Sequence, residues 1–119
     1  MTKRMENVEV VPINFRLTRR AAEKINELTN ELSTSEPMLA SLFWNQEYDE
    51  IERRLIDRGF TLGWFETDRV PAHAVQHIDG VELFFAVDEK QSENFKGKWI
   101  DYVNDRFVFR FDCGDGGNS

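Results

Sequence analysis

Cysteine, histidine, proline and long apolar runs are all scarce in this 119-residue sequence, and each scarcity removes a class of protein. Cys113 is the one cysteine, so no intrachain disulfide can form, and a reducing, cytoplasmic setting is expected. The apolar stretches fall short of the roughly 20 residues that span a bilayer. Met1 to Glu9 lacks the apolar core of a secretory signal. Neither a membrane nor an export route is therefore expected. Basic residues are outnumbered: 15 Lys and Arg against 22 Asp and Glu give a net charge of −7. Such a surface repels phosphate backbones, so nucleic acid is not an expected partner.

What is present suffices for one core. Apolar residues make up 40% of the chain and aromatics 13%, and the length is that of a single domain. No internal repeat is visible, and low complexity is confined to Gly114 to Ser119. The expected organisation is a flexible segment 1–9, a single domain 10–112 and a flexible Gly-rich tail 113–119.

Val11, Ile13, Phe15 and Leu17 alternate with polar or proline positions, which predicts a strand, at a sheet edge because of Pro12. Thr18 then stands as an N-cap before Ala22, Ile25, Leu28 and Leu32, whose three- and four-residue spacing predicts an amphipathic helix over 19–32. Pro37 and the small polar residues before it end that helix. Met38 to Trp44 read as a buried strand. Tyr48, Ile51, Leu55 and Ile56 again lie at helical spacing, predicting a short second helix over 47–58 that stops at Gly59. Four strands are predicted next, over 60–67, 73–78, 81–87 and 98–103, with Asp79-Gly80 as a two-residue hairpin turn. A last strand covers 106–111. The fold class is α+β, mainly β.

His73 and His77 are the only histidines. On one strand they would face the same way but lie about 13 Å apart, too far to share a metal. Asp49, Glu50 and Glu52, or Glu66 and Asp68, can be drawn as paired carboxylates. With acids this abundant they read instead as a solvated face. No Ser-His-acid set, Gly-rich phosphate loop or nucleotide motif is present, so no catalytic or cofactor-binding residue is assigned and no enzyme is expected. The adjacent pairs Trp64-Phe65 and Phe84-Phe85 must each face both sides of a strand. One member of each is expected in the core and the other on a second apolar surface, against the helix or a partner subunit. Acidic neighbours around Cys113 disfavour a thiolate, which argues against a nucleophile there.

Three stretches resemble the HesB-like family, the fold of A-type iron–sulphur cluster carriers. Phe15 to Ile25, with Leu17-Thr18 leading into Ala21-Ala22, resembles its opening strand and helix. Ile78 to Asp88 resembles its hairpin and the strand ending in Asp, and Phe95 to Val103 resembles the segment where a Gly precedes Asp-Tyr-Val. Residues 45–59 match poorly. The resemblance implies a HesB-like arrangement of antiparallel and mixed strands. It also implies three cysteines in cluster-carrying members: one in a Gly-rich segment after the second strand, and a Cys-Gly-Cys near the C-terminus. The first expected region here reads Phe43-Trp44-Asn45-Gln46-Glu47-Tyr48, with no thiol. The second aligns as Cys113-Gly114-Asp115, with Asp115 in place of a thiol.

Clusters are usually held by four thiolates, and a symmetric dimer of this chain supplies two. Cys113 and Asp115, with Asp112 beside them, are the metal candidates, and their carboxylates would favour bare iron over a cluster. The reading is a non-enzymatic binding or adaptor domain without the family's cluster-binding cysteines and with no cofactor, whose partner is a protein, including a second copy of itself. The alternative is an iron or iron–sulphur cluster carrier with altered ligands in a dimer. If residues 47–58 form a helical insertion in place of the missing cysteine loop, they are the expected seat of new function.

Overall fold

The computed structural model describes residues 9–111. Its order is β1 (Arg16–Leu17), α1 (Arg19–Leu32), β2 (Met38–Asp49), β3 (Arg54–Glu66), β4 (Val75–Ile78), β5 (Val81–Ala86), α2 (Glu89–Ser92), β6 (Trp99–Val103) and β7 (Arg106–Arg110). Short 3-10 turns at Thr67–Arg69 and Ala72–Ala74 separate β3 from β4. The strands form two mixed sheets, β1-β6-β7 and β3-β2-β5-β4, with β1–β6 and β2–β5 parallel and the other pairs antiparallel. The α+β, mainly β class is the observed one.

Helix α1 starts where its cap residue dictates. The Thr18 hydroxyl accepts from the Ala21 N–H at 3.3 Å, and Ala21, Ala22 and Ile25 are buried against the strands. One core joins α1, both sheets and the segment after α2. It includes Leu17, Ile25, Leu42, Leu83, Phe95 and Ile100. A second, smaller cluster on the far side of the four-stranded sheet comprises Leu39, Phe84, Val70 and Ala74.

The adjacent aromatic pairs split between these clusters as the strand period requires. Phe85 and Trp64 belong to the large core, whereas Phe84 and Phe65 belong to the small one. The second surface is covered by the chain's own 67–74 segment, through Val70 and Ala74, and not by the helix. Asp79-Gly80 is the expected hairpin turn, with φ of 49° and 86°.

Four expectations are corrected. Residues 47–58 are not a helix: they are the far half of the β2–β3 hairpin, whose turn lies at 50–53. The short second helix is instead α2, closed by a capping box between Asp88 and Gln91. The strand expected over 11–17 pairs only at Arg16–Leu17. Pro12 has no N–H to offer a ladder, and the Gln76 side chain serves this segment instead. Its Nε2 donates to the Val11 carbonyl at 2.9 Å, and its Oε1 accepts from the Ile13 N–H at 3.1 Å. Finally, His73 lies in a 3-10 turn and not on the strand that carries His77.

Candidate functional site

Strand β2 pairs with β5 only over Ala40–Phe43, while its pairing with β3 continues to Asp49 and Arg54. Past Phe43 the two strands therefore leave the sheet as a two-stranded arm. A bulge between Asn45 and Gln46 leaves Arg58 without a partner residue on β2, and Gly59 takes up the distortion at φ 102°. At the tip the Asp49 carboxylate accepts from the N–H groups of Ile51 at 2.9 Å and Glu52 at 3.3 Å, while Arg53 adopts φ 56°.

The arm rests on an aromatic root. Trp44 and Phe60 face each other across the strands, and both pack on Phe95, which is fully buried. Phe109 of β7 completes the group, 4.7 Å from Phe60 and 6.4 Å from Trp44 between ring centres. Lys98 Nζ lies over the rings of Phe109 and Phe111. Hydrogen bonds from Trp44 Nε1 and Gln46 Nε2, both 2.9 Å, hold the Asp57 carboxyl below its ordinary pKa. Between the arm and α2 lies a cleft of about 400 Å³ whose lining includes Gln46, Leu55, Asp57, Gln91 and Asn94.

The tip is apolar where water reaches it. Ile51 is 93% exposed, and Tyr48 and Leu55, directly opposite each other, are each 56% exposed. Their flanks are acidic. Of the arm's arginines, Arg54 and Arg58 are engaged by Glu52 and Glu47 at 3.0 and 2.8 Å. Asp49, Glu50 and Asp57 add three further acids to the arm, against Arg53 as its one further cation.

The segment that follows the second strand is thus Glu50 to Arg53, which holds neither thiol nor glycine. Cys113, Asp112 and Asp115 lie outside the described residues. Among the described residues no three His, Cys, Asp or Glu side chains converge to hold a metal. With one thiol in the sequence, the donor set does not fit an iron–sulphur cluster.

Of the carboxylates considered from sequence, Asp49 caps the turn at the tip, and Glu52 and Glu66 are in ion pairs. Glu66 pairs with Arg69 at 3.2 Å, and its carboxyl beside Glu36 raises the Glu36 pKa by a shared hydrogen bond and repulsion. His77 meets Glu82 at 3.2 Å on the surface.

One polar centre escaped the sequence reading. Asp101 is completely buried and accepts from Thr18 Oγ1 at 2.7 Å, Arg20 Nε and Nη2 at 2.7 and 2.8 Å, Arg110 Nη1 at 3.0 Å and the Tyr102 N–H at 2.8 Å. The bidentate Arg20 contact, joined by those from Thr18 and Arg110, holds its carboxyl far below the usual carboxylate range. The clue available from sequence was the acid inside the apolar stretch Trp99 to Val103, which demands a buried counterpart.

No family model matches this chain, and no curated protein matches it in sequence. Among solved structures, the fold is similar to that of Escherichia coli SufA, described as involved in biosynthesis of iron–sulfur clusters. The match has a TM-score of 0.51 and 20% identity, and it covers 92% of this chain and 95% of that one. At this identity the likeness is one of fold. No helix among the described residues is long and apolar enough to cross a membrane.

Proposed function

We propose that this chain is a non-catalytic protein-binding module on a SufA-like fold, acting through the β2–β3 arm rather than carrying a cluster. The observation that carries the reading is the arm's tip. Just beyond the stretch Phe43 to Tyr48, where the HesB-like resemblance implies a ligating cysteine, this chain presents Ile51 to solvent, flanked by Tyr48 and Leu55 and by acids. Apolar side chains held out on a projecting ribbon are suited to insertion into a partner's groove, and the acids favour a groove with a basic rim. A reducing, cytoplasmic setting fits a chain with a single thiol.

Ile51→Ser tests the arm without disturbing the core. A side chain this exposed has little packing to lose, so stability should change by less than about 0.5 kcal/mol. Binding partners captured with the wild-type chain should be lost with the variant. Equal capture by both would remove the tip from the interface.

The competing reading, an iron or cluster carrier using Cys113 and Asp115 in a dimer, is favoured by the fold similarity to SufA. Anaerobic incubation of the purified protein with ferrous iron and sulphide, then desalting, absorption spectra and iron analysis, decides between them. Wild type and Cys113→Ser should retain the same negligible iron. Stoichiometric iron that depends on Cys113 would make the chain a carrier and overturn the binding-module reading.

A further inference from the structure

The bulge in the arm decides which charge stands over the cleft beside α2. Counting outward from the Trp44–Phe60 and Asn45–Gly59 pairs, a regular ladder would set Arg58 opposite Gln46. With the bulge Asp57 takes that place, and Arg58 turns to the other face of the arm, where it meets Glu47 at 2.8 Å. The face over α2 therefore runs outward from the Trp44–Phe60 root as the pair Gln46–Asp57 and then the pair Tyr48–Leu55. Gln91 Nε2 of α2 donates to Gln46 Oε1 at 3.3 Å and ties this face to the floor of the cleft. The cleft is short of cations and of donors. Asp57, Asp88 and Glu93 line it, with Lys90 as the one cation of the lining. Asp57 Oδ1 accepts from Trp44 Nε1 and Gln46 Nε2, which fixes the carboxylate, while Oδ2 accepts no hydrogen bond from the described residues. Leu55, 56% exposed, supplies an apolar wall beside these acceptors. A fixed carboxylate with an open oxygen, next to an apolar wall in a cleft of about 400 Å³, fits a long cationic side chain, its head on the acid and its methylene stem on the leucine. Arginine fits better than lysine, because its donors form a rigid fork and it is less strongly hydrated.

We infer that this cleft seats an arginine projected by the partner protein, with Asp57 as its anchor. The inference rests on the binding-module reading and adds to it the position of the partner's cation. Tyr48 and Leu55 lie between the Gln46–Asp57 pair and the Ile51 tip, so a single partner segment that wraps the tip reaches the cleft as well. The charge complementarity is local: the bulge removes Arg58 from this face, and the acids left on it outnumber Lys90.

Arginine blocked at both ends, as N-acetyl-arginine amide, is the probe, titrated into the full chain and followed by NMR. The indole N–H of Trp44, which donates to Asp57, is the reporter. Saturable shifts are expected there and at the side-chain amides of Gln46 and Gln91, whereas the uncharged isostere N-acetyl-citrulline amide should produce none. Asp57→Asn, which keeps an acceptor for Trp44 and Gln46, should weaken binding of the probe by about fivefold or more. Asp57→Arg with Arg58→Asp exchanges the two charges at constant net charge and should abolish it. A flat titration, equal shifts with the citrulline amide, or unchanged binding in the Asp57 variants would overturn the inference. The reading on which it rests is tested separately, by partner capture with Ile51→Ser. Capture lost in that variant beside a flat arginine titration would keep the tip as an interface and remove the arginine site.

Discussion

Replacing Asp101 by alanine is expected to destabilise the fold by about 3–5 kcal/mol, the range for removing one partner of a buried ionic network. The carboxylate is fully buried and ties together the cap of α1 through Thr18, the helix surface through Arg20 and the last strand through Arg110. Without it the Thr18 hydroxyl is stranded and the Arg110 guanidinium, whose side chain is 28% exposed, loses its counter-charge. Arg20, 56% exposed, can turn to water and recovers part of its solvation. Asp101→Asn keeps the shape and an acceptor but not the charge, and it should fall between wild type and alanine.

The same centre sets a pH dependence. Asp101 in the fold lies below its unfolded pKa of about 3.9, so folding favours the carboxylate. Its contribution is complete above the unfolded value and is lost as pH falls through the folded one. Asp79, lowered by the Arg16 guanidinium and the Leu17 N–H, acts in the same direction. Urea midpoints measured across the acid range should therefore drop below about pH 4, with a shallower drop in Asp101→Asn. Equal slopes in the two proteins would mean that the carboxylate is not the source.

Phe95→Ala should be as damaging, about 3–5 kcal/mol, because a fully buried ring is removed and its neighbours cannot collapse into the space. Those neighbours are Phe15 and Phe85 in the core and Trp44, Phe60 and Phe109 at the root of the arm. The cavity thus opens where the arm is anchored. Trp44 should report it, through loss of near-ultraviolet ellipticity and red-shifted emission, while Phe95→Leu, which refills most of the space, should do much less. A variant that melts within a few degrees of wild type would show that Phe95 is not the hub the geometry makes it.

Position 51 shows most directly why local pattern misled. Tyr48, Ile51 and Leu55 are three and seven residues apart, the period of one helical face. The same spacing is also symmetrical about a turn, which puts Tyr48 opposite Leu55 and leaves Ile51 at the tip. Periodicity alone does not separate the two. The choice is made by the root, where the Trp44–Phe60 pair on Phe95 extends the ladder outward, and Phe95 is 35 residues away in sequence from Phe60. The metal candidates Cys113 and Asp115 were legible only as residue types, since they lie outside the described residues.

Features that depend on near neighbours were legible along the chain: the Thr18 cap and helix over 19–32, the Asp79-Gly80 turn, the alternation of Phe107 and Phe109 in β7, and the single thiol. Dihedral preference, side-chain reach over three or four residues and donor count are all readable along the chain. Long-range packing set the two parallel pairings, the exchange of a backbone ladder for the Gln76 amide beside Pro12, the burial of Asp101 between two arginines, and the projection of the arm. Each of these is stabilised by a partner more than 10 residues away or on another element, and no local propensity encodes which distant group will arrive.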